Sequence, residues 1–227
     1  DVVRGLGDRA REAGAGVVGG DLSAGEKLII SITAFGYCPG PVVRRDGARP
    51  GDLVAVSGTL GYSYAGLDLL EGGHIDPSLR GIDELGDLAP FIETYRAPTP
   101  PLGSGVAAAA AGARAMMDLS DGPAMDAARI AKASGVIIEF DRGAIEAEAS
   151  HLAPAARVCA VDPVRWVLQG GEEHGMIAVF PPDTQLPDGF RVVGEVRACL
   201  AEEEPRAMMD GEVLRGAWDH FSPDSVD

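Results

Sequence analysis

The sequence predicts an α/β fold in which a mixed sheet packs against helices. Three observations carry that expectation. Short runs rich in Val, Ile and Ala, of strand length, recur along the chain. Helix-type runs with apolar residues three and four positions apart lie between them. Glycine-rich turns sit where the two periods change over, as in Gly58-Thr59-Leu60-Gly61 and Gly170-Gly171-Glu172.

The elements follow in chain order. Residues 2–13 read as a helix with Val2, Val3, Leu6 and Ala10 near one face. Residues 15–18 read as a short strand ending in Gly19-Gly20-Asp21-Leu22-Ser23, and residues 27–37 as an Ile-rich strand. Pro39-Gly40-Pro41 breaks that run, and residues 42–45 resume an extended path. The turn Arg49-Pro50-Gly51-Asp52 precedes a buried-type strand over 53–57, and 62–70 is a helix with Ala65, Leu69 and Leu70 inward. Residues 72–86 form a polar loop. Helices are expected over 88–95 and 103–113, on either side of Pro98-Thr99-Pro100-Pro101. Residues 115–119 form a strand, and 124–133 a helix burying Ala127, Ala128, Ile130 and Ala131. A strand over 136–140, a helix over 145–151 and strands over 176–180 and 190–196 follow. A hairpin turns at Asp210-Gly211.

Composition narrows the function. With 227 residues and 46% hydrophobic content, the chain can bury a sizeable core. Its apolar runs are far shorter than a membrane span, and the sequence shows no signal peptide. A net charge of −16 disfavours nucleic acid and anionic membranes as partners. Cys38, Cys159 and Cys199 lie far apart without CxxC spacing, as expected of reduced thiols in a cytoplasmic protein.

The stretch with most chemistry is Met117-Asp118-Leu119-Ser120-Asp121-Gly122, at a turn that opens a helix. Ser120 or Asp121 can cap that helix, and Pro123 suits its first turn because an N–H there has no intrahelical partner. Free N–H groups and partial positive charge at a helix start favour an anion. Two carboxylates at the same place would repel a phosphate unless a divalent cation such as Mg2+ stands between them. Asp21 at the end of a Gly-Gly turn is a further oxygen donor, and Arg44 or Arg45 can reach a phosphate. Each signal alone is better explained by caps, turns and solvated surface than by a site.

Their order is more specific. Gly-Gly-Asp-Leu-Ser at 19–23, Val-Ser-Gly-Thr-Leu-Gly-Tyr-Ser-Tyr-Ala-Gly-Leu at 56–67 and Pro98-Thr99-Pro100-Pro101 come first. Met-Asp-Leu-Ser-Asp-Gly at 117–122, Gly-Gly-Glu at 170–172 and Trp-Asp-His-Phe at 218–221 follow. In this order and spacing the series resembles the bacterial thiamine-monophosphate kinases, of the ATP-binding superfamily that includes aminoimidazole ribonucleotide synthetase and selenophosphate synthetase. The resemblance runs from about residue 15 to 221.

The resemblance implies ATP-dependent phosphorylation of thiamine monophosphate to thiamine diphosphate with Mg2+, by direct in-line transfer and without a covalent nucleophile. By the same resemblance Asp21, Asp118 and Asp121 would bind Mg2+. Gly20, Asp21, Arg45 (in the pattern running from Arg45 to Asp52) and Ser120 would meet ATP, and Glu172 and Trp218 would hold thiamine monophosphate. It implies an aminoimidazole ribonucleotide synthetase-like C-terminal domain over 41–227, with residues 1–40 the remnant of an N-terminal ATP- and metal-binding domain, and a homodimer at full length. Family members carry an Asp-Asp metal motif ahead of the segment matched here. The chain is therefore expected to hold part of the metal site and to be poorly active alone. Two positions depart from the family pattern: Pro123 replaces a leucine, and Glu173 replaces an aspartate. The alternatives are another ATP-dependent synthetase or maturation enzyme of the superfamily, and a non-catalytic nucleotide-binding module.

Overall fold

A computed structural model describes residues 2–38, 40–76 and 83–216. The chain forms two compact units, residues 1–39 and 40–227. In the first, α1 (Val2–Glu12) buries none of its residues. The rest of that unit carries no strand among its described residues, and Val18, Leu22, Ile29 and Phe35 are exposed. The strands expected over 15–18 and 27–37 are therefore absent. An extended run becomes a strand only when a neighbour satisfies its backbone groups, and sequence pattern does not supply one.

The second unit is built on a seven-stranded sheet in the order β2-β4-β1-β5-β3-β6-β7. Its strands are β1 (Leu53–Ser57), β2 (Ala115–Leu119), β3 (Val136–Phe140), β4 (Gly175–Phe180), β5 (Arg191–Ala198), β6 (Arg206–Met209) and β7 (Glu212–Val213). All neighbours are antiparallel except β3 and β6. Asp210 and Gly211 both have positive φ (52° and 78°), which suits the hairpin turn expected there.

Helices α2 (Tyr62–Glu71), α3 (Ala89–Arg96), α5 (Pro123–Ser134), α6 (Arg142–Ser150), α7 (Ala153–Cys159) and α8 (Pro163–Gln169) contribute to the main core, and α4 (Ser104–Ala110) to a second one. Alternation along the strands explains the two layers. Val54, Val56, Ile177 and Val179 enter the main core, whereas Ala55, Ala178 and Phe180 face Ala108 of α4. The helix expected over 103–113 is shorter, spanning Ser104–Ala110 and ending one residue before the alanine run does. Helices α7 and α8 arise where no element is expected; Trp166 of α8 is fully buried, and its Nε1 donates to Asp68 Oδ2 at 2.7 Å.

Candidate active site

The sheet brings separate motifs to one end. Ser57 at the end of β1 pairs with Met176 near the start of β4, and Met176 pairs with Asp118 near the end of β2. Each strand therefore delivers its glycine-rich turn to the same edge. The turns are in close contact. A Cβ on Gly171 would lie 2.0 Å from the Ser120 carbonyl oxygen, so only glycine lets these backbones approach. Gly122 has φ 96°, and a Cβ there would lie 2.7 Å from the Gly170 carbonyl oxygen. Gly170 in turn faces Gly61, and Gly58 faces Gly175 and Pro101. Glu172 N donates to Ser120 O at 3.1 Å. Four motifs far apart in sequence thus converge.

The turn at 118–122 is held from within α5. Neither Ser120 nor Asp121 caps this helix; its N-cap is Gly122, with no side-chain cap bond, and Pro123 is its first residue. Instead Asp126, fully buried in the first turns of α5, reaches back. Its Oδ2 accepts the N–H groups of Ser120 at 3.0 Å and Asp121 at 3.1 Å. Its Oδ1 accepts from Arg129 Nη1 at 2.6 Å, while Arg129 Nη2 pairs with the Asp121 carboxylate. Burial pushes the Asp126 carboxyl above its ordinary value, against the pull of Asp121 N–H and Arg129.

Asp118 is exposed on the face of the sheet that carries Met176, with His174 Nδ1 3.8 Å from its Oδ2. The other imidazole nitrogen, Nε2, lies 3.7 Å from Glu172 Oε2, so His174 stands between the two acids. Glu172 and His174 both have positive φ (71° and 51°), costly for residues with a Cβ and a feature that gathers at functional sites. Glu173 turns inward. Its carboxylate accepts Ser63 N at 2.9 Å at the start of α2, and burial pushes it up to about 7.

Among the described residues no group of three or more His, Cys, Asp or Glu side chains is set to hold a metal ion. Asp118 and Asp121 instead offer two hard oxygen donors on either side of one strand end. That set fits Mg2+, which is commonly held by one or two carboxylates plus phosphate and water oxygens.

No family model matches the chain. It is 39% identical over 228 residues to the thiamine-monophosphate kinase of Mycobacterium tuberculosis H37Rv, covering 99% of this chain and 63% of that protein. It is 32% identical over 225 residues to the thiamine-monophosphate kinase of Halobacterium salinarum, covering 96% of this chain and 69% of that protein. The chain belongs to the thiamine-monophosphate kinase family. A structure of AaThiL complexed with AMPPCP and TMP matches with a TM-score of 0.61 at 30% identity, over 79% of this chain and 54% of that one. The thiamine-monophosphate kinase of Stenotrophomonas maltophilia shares the fold with a TM-score of 0.60. The expected aminoimidazole ribonucleotide synthetase-like α/β fold is thus present. The chain spans about 63% of the Mycobacterium relative's length.

Against the thiamine-monophosphate kinase motifs, Asp118, Ser120, Asp121 and Glu172 stand together. Arg45 is exposed nearer the other end of α5, where its carbonyl accepts from Ser134 Oγ at 3.0 Å, and the neighbouring Arg44 carbonyl accepts Met116 N at 3.2 Å, two residues before Asp118. Gly20 and Asp21 are exposed in the first unit. Trp218 lies outside the described residues. The segment before it crosses the site, since Gln169 Nε2 donates to Arg215 O at 3.2 Å and Gly216 packs on Met125. Sequence reasoning missed Asp126, Arg129 and His174; for Asp126 the available signal was an acid early in a helix whose start is glycine and proline.

Proposed function

We propose that the protein to which this chain belongs phosphorylates thiamine monophosphate with ATP, giving thiamine diphosphate. The observation that carries the reading is the convergence of the 56–67, 98–101, 117–122 and 170–172 motifs on one sheet end, in a family where AaThiL is complexed with AMPPCP and TMP. In this reading Asp118 and Asp121 are cation ligands, Asp21 is a further cation ligand, and Gly20 and Arg45 serve ATP. Ser120 lies beside the nucleotide, while Glu172 and Trp218 hold thiamine monophosphate. Residues 1–40 belong to an N-terminal ATP- and metal-binding domain and 41–227 to the C-terminal domain of a homodimeric cytoplasmic enzyme.

Transfer between two phosphates needs positioning and charge neutralisation more than covalent chemistry. Bound Mg2+ would supply that neutralisation between the phosphates and the carboxylates. The chain's own contribution is to fix the carboxylates. Asp126 locks the backbone of Ser120 and Asp121, and Gly171 allows Glu172 to sit on the same turn. An in-line displacement places no proton-transfer demand on His174.

The test is an ATP-dependent kinase assay with thiamine monophosphate on the full-length gene product, with Asp118→Ala and Asp121→Ala alongside. Thiamine diphosphate from the intact protein, and loss of at least about a hundredfold in either variant, is expected. No product from the intact protein would sink the reading.

A further inference from the structure

The position of Arg129 bears on how the site meets its cation. Its guanidinium forks between two carboxylates of unequal environment. Asp126 is 0% exposed, and all of its bonds are internal: two backbone N–H groups on one oxygen and Arg129 Nη1 on the other. A buried carboxylate in that position does not give up its cation, because nothing else is there to replace it. Asp121 is different. Its side chain is 21% exposed and that of Arg129 38% exposed, so the bond between them opens toward solvent. Every oxygen of Asp121 that Arg129 occupies is withheld from an incoming ion, and a divalent ion beside the guanidinium is repelled.

We propose that Arg129 is the resident counter-cation of Asp121, exchanged there for a divalent cation while its other nitrogen stays on Asp126. The proposal rests on the reading of Asp118 and Asp121 as cation ligands. It makes Arg129 a positioning residue: it keeps the Asp121 carboxylate oriented and its charge paired until the ion arrives, then withdraws from one contact only. Asp126 is the hinge that retains it.

The experiment is Mn2+ titration of the whole 227-residue chain by calorimetry, with binding counted independently by electron paramagnetic resonance. Removing the competitor in Arg129→Gln should tighten Mn2+ binding by about fivefold or more. The gain should vanish when Asp121→Asn is added, because no carboxylate is then left for the guanidinium to block. Unchanged or weaker binding in Arg129→Gln, or a gain that survives Asp121→Asn, overturns the exchange. If Arg129→Gln does not fold, Arg129→Lys decides by the same criterion, since a single ammonium cannot fork across both acids. The unaltered chain gives a further readout, because the side-chain nitrogen resonances of Arg129 should move as Mg2+ is added; if they stay fixed while the ion binds, the exchange is refuted. Mn2+ binding that depends on Asp118 but ignores residue 129 defeats the exchange and leaves the cation-site reading standing. If neither the unaltered chain nor any variant binds Mn2+, the exchange falls, and the cation-ligand reading stands or falls on the Asp118→Ala and Asp121→Ala kinase assay of the full-length protein.

Discussion

The Glu173 carboxylate accepts the backbone N–H of Ser63 at 2.9 Å, so the Gly-Gly-Glu loop is joined to the start of α2 by a buried acid. Helix starts favour a negative charge, and Ser63 supplies a free donor. Burial nevertheless wins, raising the group from 4.5 to about 7.

That shift makes stability depend on pH. A carboxyl with a raised folded pKa binds its proton more tightly in the folded state. Its stabilising contribution is full below about pH 4.5 and is lost as pH rises through about 7. Glu173→Gln keeps an acceptor for Ser63 but carries no charge. Its stability relative to the parent should therefore rise between those pH values, by on the order of 3 kcal/mol at the alkaline limit. Chemical denaturation of both proteins at pH 5 and pH 8 measures it. A difference that does not change with pH would show that burial is not what sets this group.

Gly171→Ala should damage the site more than its single methyl suggests. The added carbon would lie 2.0 Å from the Ser120 carbonyl, backbone against backbone, with no flexible side chain to yield. A cost of about 1–3 kcal/mol is expected, with loss of kinase activity in the full-length protein well before unfolding. Thermal melting and activity measured together check this. Gly189→Ala is a poor control because its φ is 83°; Gly103→Ala meets nothing within 4 Å and should be near neutral.

Trp166→Phe tests the buried tie between α8 and α2. It leaves Asp68 Oδ2 without the indole donor at 2.7 Å and opens space in a fully buried position. The loss should be about 2–4 kcal/mol in unfolding free energy. Adding Asp68→Ala should cost less than the sum of the two single changes, because the orphaned carboxylate is then gone.

These positions show what was legible in the sequence. The strands of the second unit were, because β-branched runs such as Val136–Phe140 bury both faces and hardly depend on context. Helices α7 and α8 were not: each is seven residues long with a proline at its first or second position, too short for a period to declare itself. The Ile-rich run at 27–37 reads as strand on residue type alone, yet pairing is a property of the neighbour. At the site, Asp118, Ser120 and Asp121 stood out by adjacency. Asp126 and Arg129 act on the same turn from within α5, and His174 from the opposite loop, through contacts that spacing alone does not reveal.

Glu172 offers a trade between stability and function. Its φ of 71° is uncomfortable for a residue with a Cβ, and its exposed side chain has one ion pair among the described residues, with His174 at 3.7 Å. An exposed pair of that length contributes little. Asparagine tolerates the left-handed region far better and adds no backbone freedom to the unfolded chain. Glu172→Asn should therefore stabilise the chain by about 0.5–1 kcal/mol. If Glu172 holds thiamine monophosphate, the same change in the full-length enzyme should raise KM for that substrate while leaving KM for ATP near its original value. Denaturation midpoints and initial rates with each substrate varied in turn separate the two effects. A more stable variant with unaltered KM for thiamine monophosphate would leave the strained backbone without a substrate role.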